Sequence, residues 1–151
     1  MTDPAPSAVA GWFRADPPAL LGRRCDGCGD VAFPPGSPFC ANPACAGTQF
    51  TTTELSTSGT IWSYTDARYQ PPPPYVPRHD PFVPFAIAAV ELAEGLVVLG
   101  QVVEGYGADD LRVGDVVDLV VEPLDQLSGG DLLMWRWRPR VDRRPPERGA
   151  T

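Results

Sequence analysis

From residue 58 onward apolar residues recur at strand-like intervals. Residues 59–69, GTIWSYTDARY, are rich in β-branched and aromatic types and open at a glycine, which predicts a strand. Residues 85–92 and 96–103 are two apolar runs separated by Ala93, Glu94 and Gly95, a pattern that predicts a tight hairpin. Residues 115–122 and 132–138 complete a set of five strands, the last two joined by a loop containing Gly129 and Gly130. Between the third and fourth strands, residues 109–111 allow one helical turn, closed by Gly114. Residues 70–84 hold Pro71 to Pro74, Pro77, Pro81 and Pro84, so they predict a stiff, extended loop and neither a helix nor a central strand. Five short strands with one small helical element between the third and fourth fit an OB-type barrel, with a sandwich as the alternative. Ahead of them, residues 1–6 read as a frayed end. Ser7 is placed to cap a short helix carrying Val9, Trp12 and Phe13 that Pro17 and Pro18 would end.

Composition narrows the chemistry. The 151 residues are 43% hydrophobic and 21% charged, enough apolar material for one ordinary domain. No apolar run approaches the roughly 20 residues of a membrane span. The N-terminus has neither the basic nor the apolar region of a signal peptide, which makes the cytoplasm the default location. All 12 basic residues are arginine, so a lysine Schiff base and a lysine-bearing phosphate loop are both excluded. The formal net charge is −7, and its distribution is uneven. Residues 136–151 hold six arginines against two acids, whereas the other 135 residues hold six arginines against 17 acids. An acidic body opposes nucleic-acid binding, which needs a basic field.

All four cysteines fall within residues 25–45, as Cys25-x2-Cys28-x11-Cys40-x4-Cys45. Clustered cysteines in a cytosolic chain point to a metal rather than to disulfides. Two knuckles joined by a hairpin can set four thiolates at the corners of a tetrahedron, with Gly27 and Gly29 turning the first knuckle and Asn42 and Pro43 the second. Zinc is the expected ion, iron suits the same ligands, and two disulfides are the competing reading. A site with four thiolates is closed, hence structural. The resulting layout is a helical segment at 1–21, a zinc ribbon at 22–57, an OB-fold at 58–140 and a basic, disordered tail at 141–151.

The ordered set RCDGCG at 24–29, FPP at 33–35, SGTIWSYT at 58–65, PFAIAAVELAEG at 84–95, VGDVVD at 113–118 and WRP at 137–139 resembles a known family over residues 12–139. That family joins a rubredoxin-like zinc ribbon to an OB-fold and is described as acyl-CoA-associated. The resemblance implies a small partner subunit of a thiolase-like enzyme, or of a lipid-transfer-protein-like aldolase that shortens steroid side chains. The partner would then supply the carbon–carbon chemistry. Many relatives have a two-residue gap in the second knuckle; here it is four, between Cys40 and Cys45.

No residue is assigned a catalytic role. His79 is the single histidine, and although Asp80 follows it, neighbours in an extended loop point apart. On the last strand Arg136, Arg138 and Arg140 alternate with Trp135, Trp137 and Pro139, so period 2 puts the arginines on one face. That face is a candidate contact for the phosphates of coenzyme A, with a solvated surface as the plain alternative. Trp12 and Phe13, with Tyr69, Tyr75 and Phe82 of the proline-rich loop, are the candidate partner interface; core packing is the plain alternative for the first two. The other functional class is a ribbon–OB module binding single-stranded nucleic acid through Trp62, Tyr64, Tyr69 and Trp135.

Overall fold

The computed structural model describes residues 9–74, 77, 79–124 and 132–143. The expected Ser7 cap, Tyr75, the Gly129–Gly130 loop and most of the basic tail lie outside the described residues. Among those described, the elements are strands β1 Phe13–Ala15, β2 Pro18–Cys25, β3 Val31–Ala32, β4 Phe50–Glu54, β5 Ser58–Ala67, β6 Phe85–Leu92, β7 Val97–Gln101, β8 Val116–Pro123 and β9 Leu133–Pro139. A single 3₁₀ turn, Ala108–Asp110, lies between β7 and β8.

The expected short helix near the N-terminus is not present in the described part of that segment. Residues 9–12 make a turn, and Phe13–Ala15 runs antiparallel to β2, with Phe13 opposite Leu20. Gly11 in the turn, β-branched Val9 and two adjacent aromatics are weak helix formers. Pairing buries Phe13 and Leu20 in the core, which a helix of one or two turns could not match.

The five expected strands are β5 to β9, in the order β7-β6-β5-β8-β9, all neighbours antiparallel. The two ends of this sheet approach each other at one point. Val102 bridges Trp137 in the parallel sense, and the Val103 N–H donates to Trp137 O at 3.0 Å. A third strand meeting a fifth in parallel, with a helical turn before the fourth, is the OB topology, here a nearly closed barrel. β5 bends through a bulge between Ile61 and Ser63, which leaves Trp62 facing outward. The inner faces supply Ile61, Ala88, Val90, Val98, Val117, Leu119, Trp135 and Trp137.

β2 carries the second sheet, pairing with β1, β3 and β4. Its Leu20, with Phe13 and Leu55, belongs to the same apolar cluster as the barrel residues. Trp135 is the hinge of that continuity. Its ring lies 5.8 Å from Phe13 and from Phe33, both edge-on, and 6.2 Å from Trp12. The ribbon sheet therefore rests on the barrel through this aromatic knot together with Leu20 and Leu55. Among the described residues no helix is long and apolar enough to cross a membrane.

Candidate metal centre

β2 ends on Cys25, and its pairing with β3 and β4 sets the chain leaving it into a tight loop. The Gly29 N–H returns to Cys25 O at 2.8 Å, closing the first knuckle and bringing Cys28 back toward Cys25. In the second knuckle the Cys45 N–H donates to Asn42 O at 3.0 Å, while Asn42 Oδ1 accepts the Ala44 N–H at 3.0 Å. This is the turn chemistry expected of Asn42. A bond from the Cys40 N–H to Gly47 O at 3.1 Å ties the ends of the second knuckle together.

The four sulfurs of Cys25, Cys28, Cys40 and Cys45 all lie within 4.8 Å of one another. Cys28 and Cys40 are 3.6 Å apart, Cys25 and Cys45 3.8 Å. A disulfide needs about 2.05 Å, so the four are free thiols and the disulfide reading falls. Four ligands at about 2.3 Å from a tetrahedral centre stand about 3.8 Å apart, close to the spacing of those two pairs. Amides are aimed at the sulfurs, as a metal-bound thiolate requires: Asn42 N–H to Cys40 Sγ and Gly47 N–H to Cys45 Sγ, each at 3.4 Å. The donor set could hold one metal ion in a closed site.

The thiols also set one another's acidity. The Cys25 thiol is lowered to about 7 by the backbone N–H groups of Cys28 and Gly27, despite its burial. At Cys40 the Asn42 amide favours the thiolate, but burial and the sulfurs of Cys28, Cys25 and Cys45 outweigh it and push the thiol up to about 12. One thiolate forms readily, and further negative charge at this spacing calls for a cation among the sulfurs.

Two residues of the centre were missed in the sequence. Gly47 is one. A Cβ there would stand 2.7 Å from Cys25 Sγ and 3.3 Å from Cys45 Sγ, inside the ligand set. The signal was a repeat: Cys25-x-Gly27 and Cys45-x-Gly47 share one spacing, and a Cβ on Gly27 would face the same two sulfurs at 3.7 Å. Arg23 is the other. It is buried on β2, donates to Phe39 O at 2.6 Å and to Ser37 O, and stacks 4.0 Å over the Phe50 ring. It thereby pins the loop that delivers Cys40. No local pattern distinguishes such an arginine from a surface one.

The other candidate residues are scattered. Phe13 is buried at 6% exposure and Trp12 is half-buried on Trp135 and Phe33, so both pack within the chain. Tyr69 is 74% exposed, and Phe82 is half-buried with its ring 5.9 Å from Phe85. The arginines do share the outer face of β9, since Trp135 and Trp137 pair toward the core. They are not alike, however. Arg136 is 2% exposed, donating to Glu122 Oε1 at 3.1 Å, Gln101 Oε1 at 2.6 Å and Leu124 O at 2.7 Å. Arg140 is bidentate on Asp118, and Arg138 is exposed. His79 pairs with Glu104 at 2.5 Å, holding the proline-rich loop to the segment after β7.

A four-thiol ribbon seated on a nearly closed five-stranded barrel defines the class: a ribbon–OB-fold protein. Residues 52–122 match the family described as the ChsH2 C-terminal OB-fold domain. The chain is 30% identical over 122 residues to benzoylsuccinyl-CoA thiolase subunit BbsA of Thauera aromatica, covering 80% of this chain and 76% of that protein. It is 32% identical over 102 residues to a DUF35 domain-containing scaffold protein of Methanocaldococcus jannaschii, covering 67% of this chain and 66% of that one. It matches a solved chain of the Ltp2-ChsH2(DUF35) aldolase at a TM-score of 0.63 and 30% identity, over 82% of this chain and 86% of that chain. The chain belongs to this ChsH2/DUF35 family.

Proposed function

We propose that this protein is an accessory subunit of a thiolase-like or aldolase enzyme that acts on an acyl-CoA, and that the ribbon holds a structural zinc. The observation that carries the reading is the similarity to BbsA, a thiolase subunit, which covers 80% of this chain. The similarity to a chain of an aldolase points to the same kind of role. The residues agree: a chain with no lysine, one histidine and its thiols gathered in a closed site has few groups with which to run carbon–carbon chemistry alone. Four free thiols held as ligands suit a reducing cytoplasm.

Between the two partner classes we favour the aldolase, performing retro-aldol cleavage of a steroid side-chain CoA thioester. Trp12, Tyr69, Tyr75 and Phe82 are the proposed docking aromatics, and Phe13, buried against Trp135, would act only through that packing. Arg138 is the best placed arginine for a CoA phosphate, Arg140 shares its charge with Asp118, and Arg136 would act only through the groups it already holds. The test is reconstitution of the partner with and without this chain. Activity or stability that depends on the chain is expected, and a partner equally active alone would refute the accessory role. Thiolysis consumes free CoA and retro-aldol cleavage does not, so CoA dependence separates the two chemistries. The Arg138→Ala protein should raise the KM for the acyl-CoA.

A further inference from the structure

β7 is an edge strand where the barrel fails to close. The Leu92 N–H donates to Leu96 O at 2.8 Å and the Val102 N–H to Ala86 O at 2.9 Å, while Val98 pairs with Val90 and Gly100 with Ala88. Even-numbered residues thus bond to β6, and the main-chain groups of Val97, Leu99 and Gln101 turn to the other side. The Trp135 indole confirms the direction, donating from Nε1 to Leu99 O at 3.2 Å. The main chains of the two ends bridge at Val102 and Trp137, while side chains of β9 reach β7 at Leu99 and Gln101. The N–H groups of Val97, Leu99 and Gln101 find no acceptor among the described residues.

Beside this edge lies a groove of about 300 Å³, lined by Ile87, Leu99, Met134 and Trp135, with Gln101 and Arg136 at its polar side. Leu99 is 64% exposed and Val97 45%. Edge strands are ordinarily protected by charge, proline or a bulge. β7, Val-Val-Leu-Gly-Gln, has none of these. Main-chain donors with no acceptor among the described residues call for main-chain acceptors, and an apolar groove alongside calls for an apolar side chain at alternating positions. A small molecule would fill the groove and leave those donors unmet. A second copy of β7 comes attached to its own barrel wall, which the narrowing wedge between β7 and β9 does not admit, and two bodies of net charge −7 repel.

We propose that the β7 edge and the groove beside it receive an extended segment of the partner polypeptide as an added strand, one apolar side chain seating against Leu99 and Met134. This rests on the accessory-subunit reading and names the surface through which it acts. The test uses the full chain and the thiolase-like or aldolase subunit co-expressed with it. Amide exchange at Val97 and Leu99 should slow at least tenfold in the complex. Val97→Pro removes only an outward N–H, and Leu99→Glu alters only an exposed side chain, so both proteins should keep their melting temperature and bound metal. Both should bind the partner at least tenfold more weakly. A complex that forms with these amides unprotected, or that both variants form within twofold of the parent, overturns the added strand and leaves the accessory role standing. Sedimentation showing a dimer of this chain that Val97→Pro dissolves would replace the partner segment with a second copy and overturn the proposal. Failure of every such subunit to bind removes the accessory reading and this inference together.

Discussion

At the residue scale the metal centre depends on what surrounds the sulfurs as much as on the sulfurs. Gly47→Ala puts a methyl group 2.7 Å from Cys25 Sγ, so a ligand must move. Metal affinity is expected to fall about ten- to hundredfold, measured by competition with a chromophoric chelator on reduced protein. Cys25→Ser removes a thiol that its backbone N–H neighbours hold at about 7 and should abolish stoichiometric metal. Metal analysis of the parent showing neither zinc nor iron would end the assignment. Arg23→Ala removes a buried guanidinium from two carbonyls and the Phe50 ring, and should destabilise the protein by about 2–3 kcal/mol in denaturant titrations. Arg23→Lys should not restore it, because an ammonium cannot reach both carbonyls and stack as a planar fork does. The cysteines were legible because ligand chemistry restricts both residue type and spacing. Arg23 was not, because its partners lie 14 and 16 residues away.

At the element scale β9 shows how far period 2 reaches. Alternation correctly put Trp135 and Trp137 on the face opposite to Arg136, Arg138 and Arg140. It could not foresee that Gln101 from β7, Glu122 from β8 and the Leu124 carbonyl converge over Arg136 alone. Arg136 therefore spans the barrel seam from outside, while the tryptophans fill it from within. Arg136→Ala removes a buried guanidinium from Glu122, Gln101 and the Leu124 carbonyl, and a loss of about 2–3 kcal/mol is expected. Exchange at Val102 and Val103 should accelerate, since they hold the seam beside Trp137. Gly100 is the inner counterpart: a Cβ there would stand 2.7 Å from Trp137 Nε1 and 2.9 Å from Trp135 Nε1. Gly100→Ala should cost about 1–3 kcal/mol by overpacking, read from the shift in urea midpoint.

At the scale of the whole molecule, charge decides behaviour in acid and toward polyanions. Arg143 holds Asp115, and Arg140 holds Asp118, below the ordinary carboxylate range. A depressed folded-state value means that these pairs stabilise the fold fully above the unfolded value of about 3.9 and lose that contribution as pH falls through the lower folded values. Urea midpoints should therefore be flat from neutrality to about pH 5 and decline below about pH 4, with a shallower decline in Asp115→Asn. With 17 acids against six arginines in residues 1–135, the body repels phosphates, so affinity for a single-stranded oligonucleotide at physiological salt should be weak. Submicromolar binding in a fluorescence-anisotropy titration would revive the nucleic-acid reading.

What the sequence determined by itself was local: five strands with their hairpin, the helical turn, and the four-cysteine ligand set. Each follows from short-range rules, because alternation, turn residues and ligand spacing act over a few positions. The tertiary structure decided what depends on partners far along the chain. Residues 13–15 became a strand because pairing with β2 and packing on Trp135 outweigh a feeble helical preference. Gly47 and Arg23 gained their roles from sulfurs and carbonyls that folding brings to them. Arg136 was buried, and the β7 edge left open, by where the ends of one sheet meet. Closure of that kind is set by strand number and register, and no stretch of sequence carries it alone.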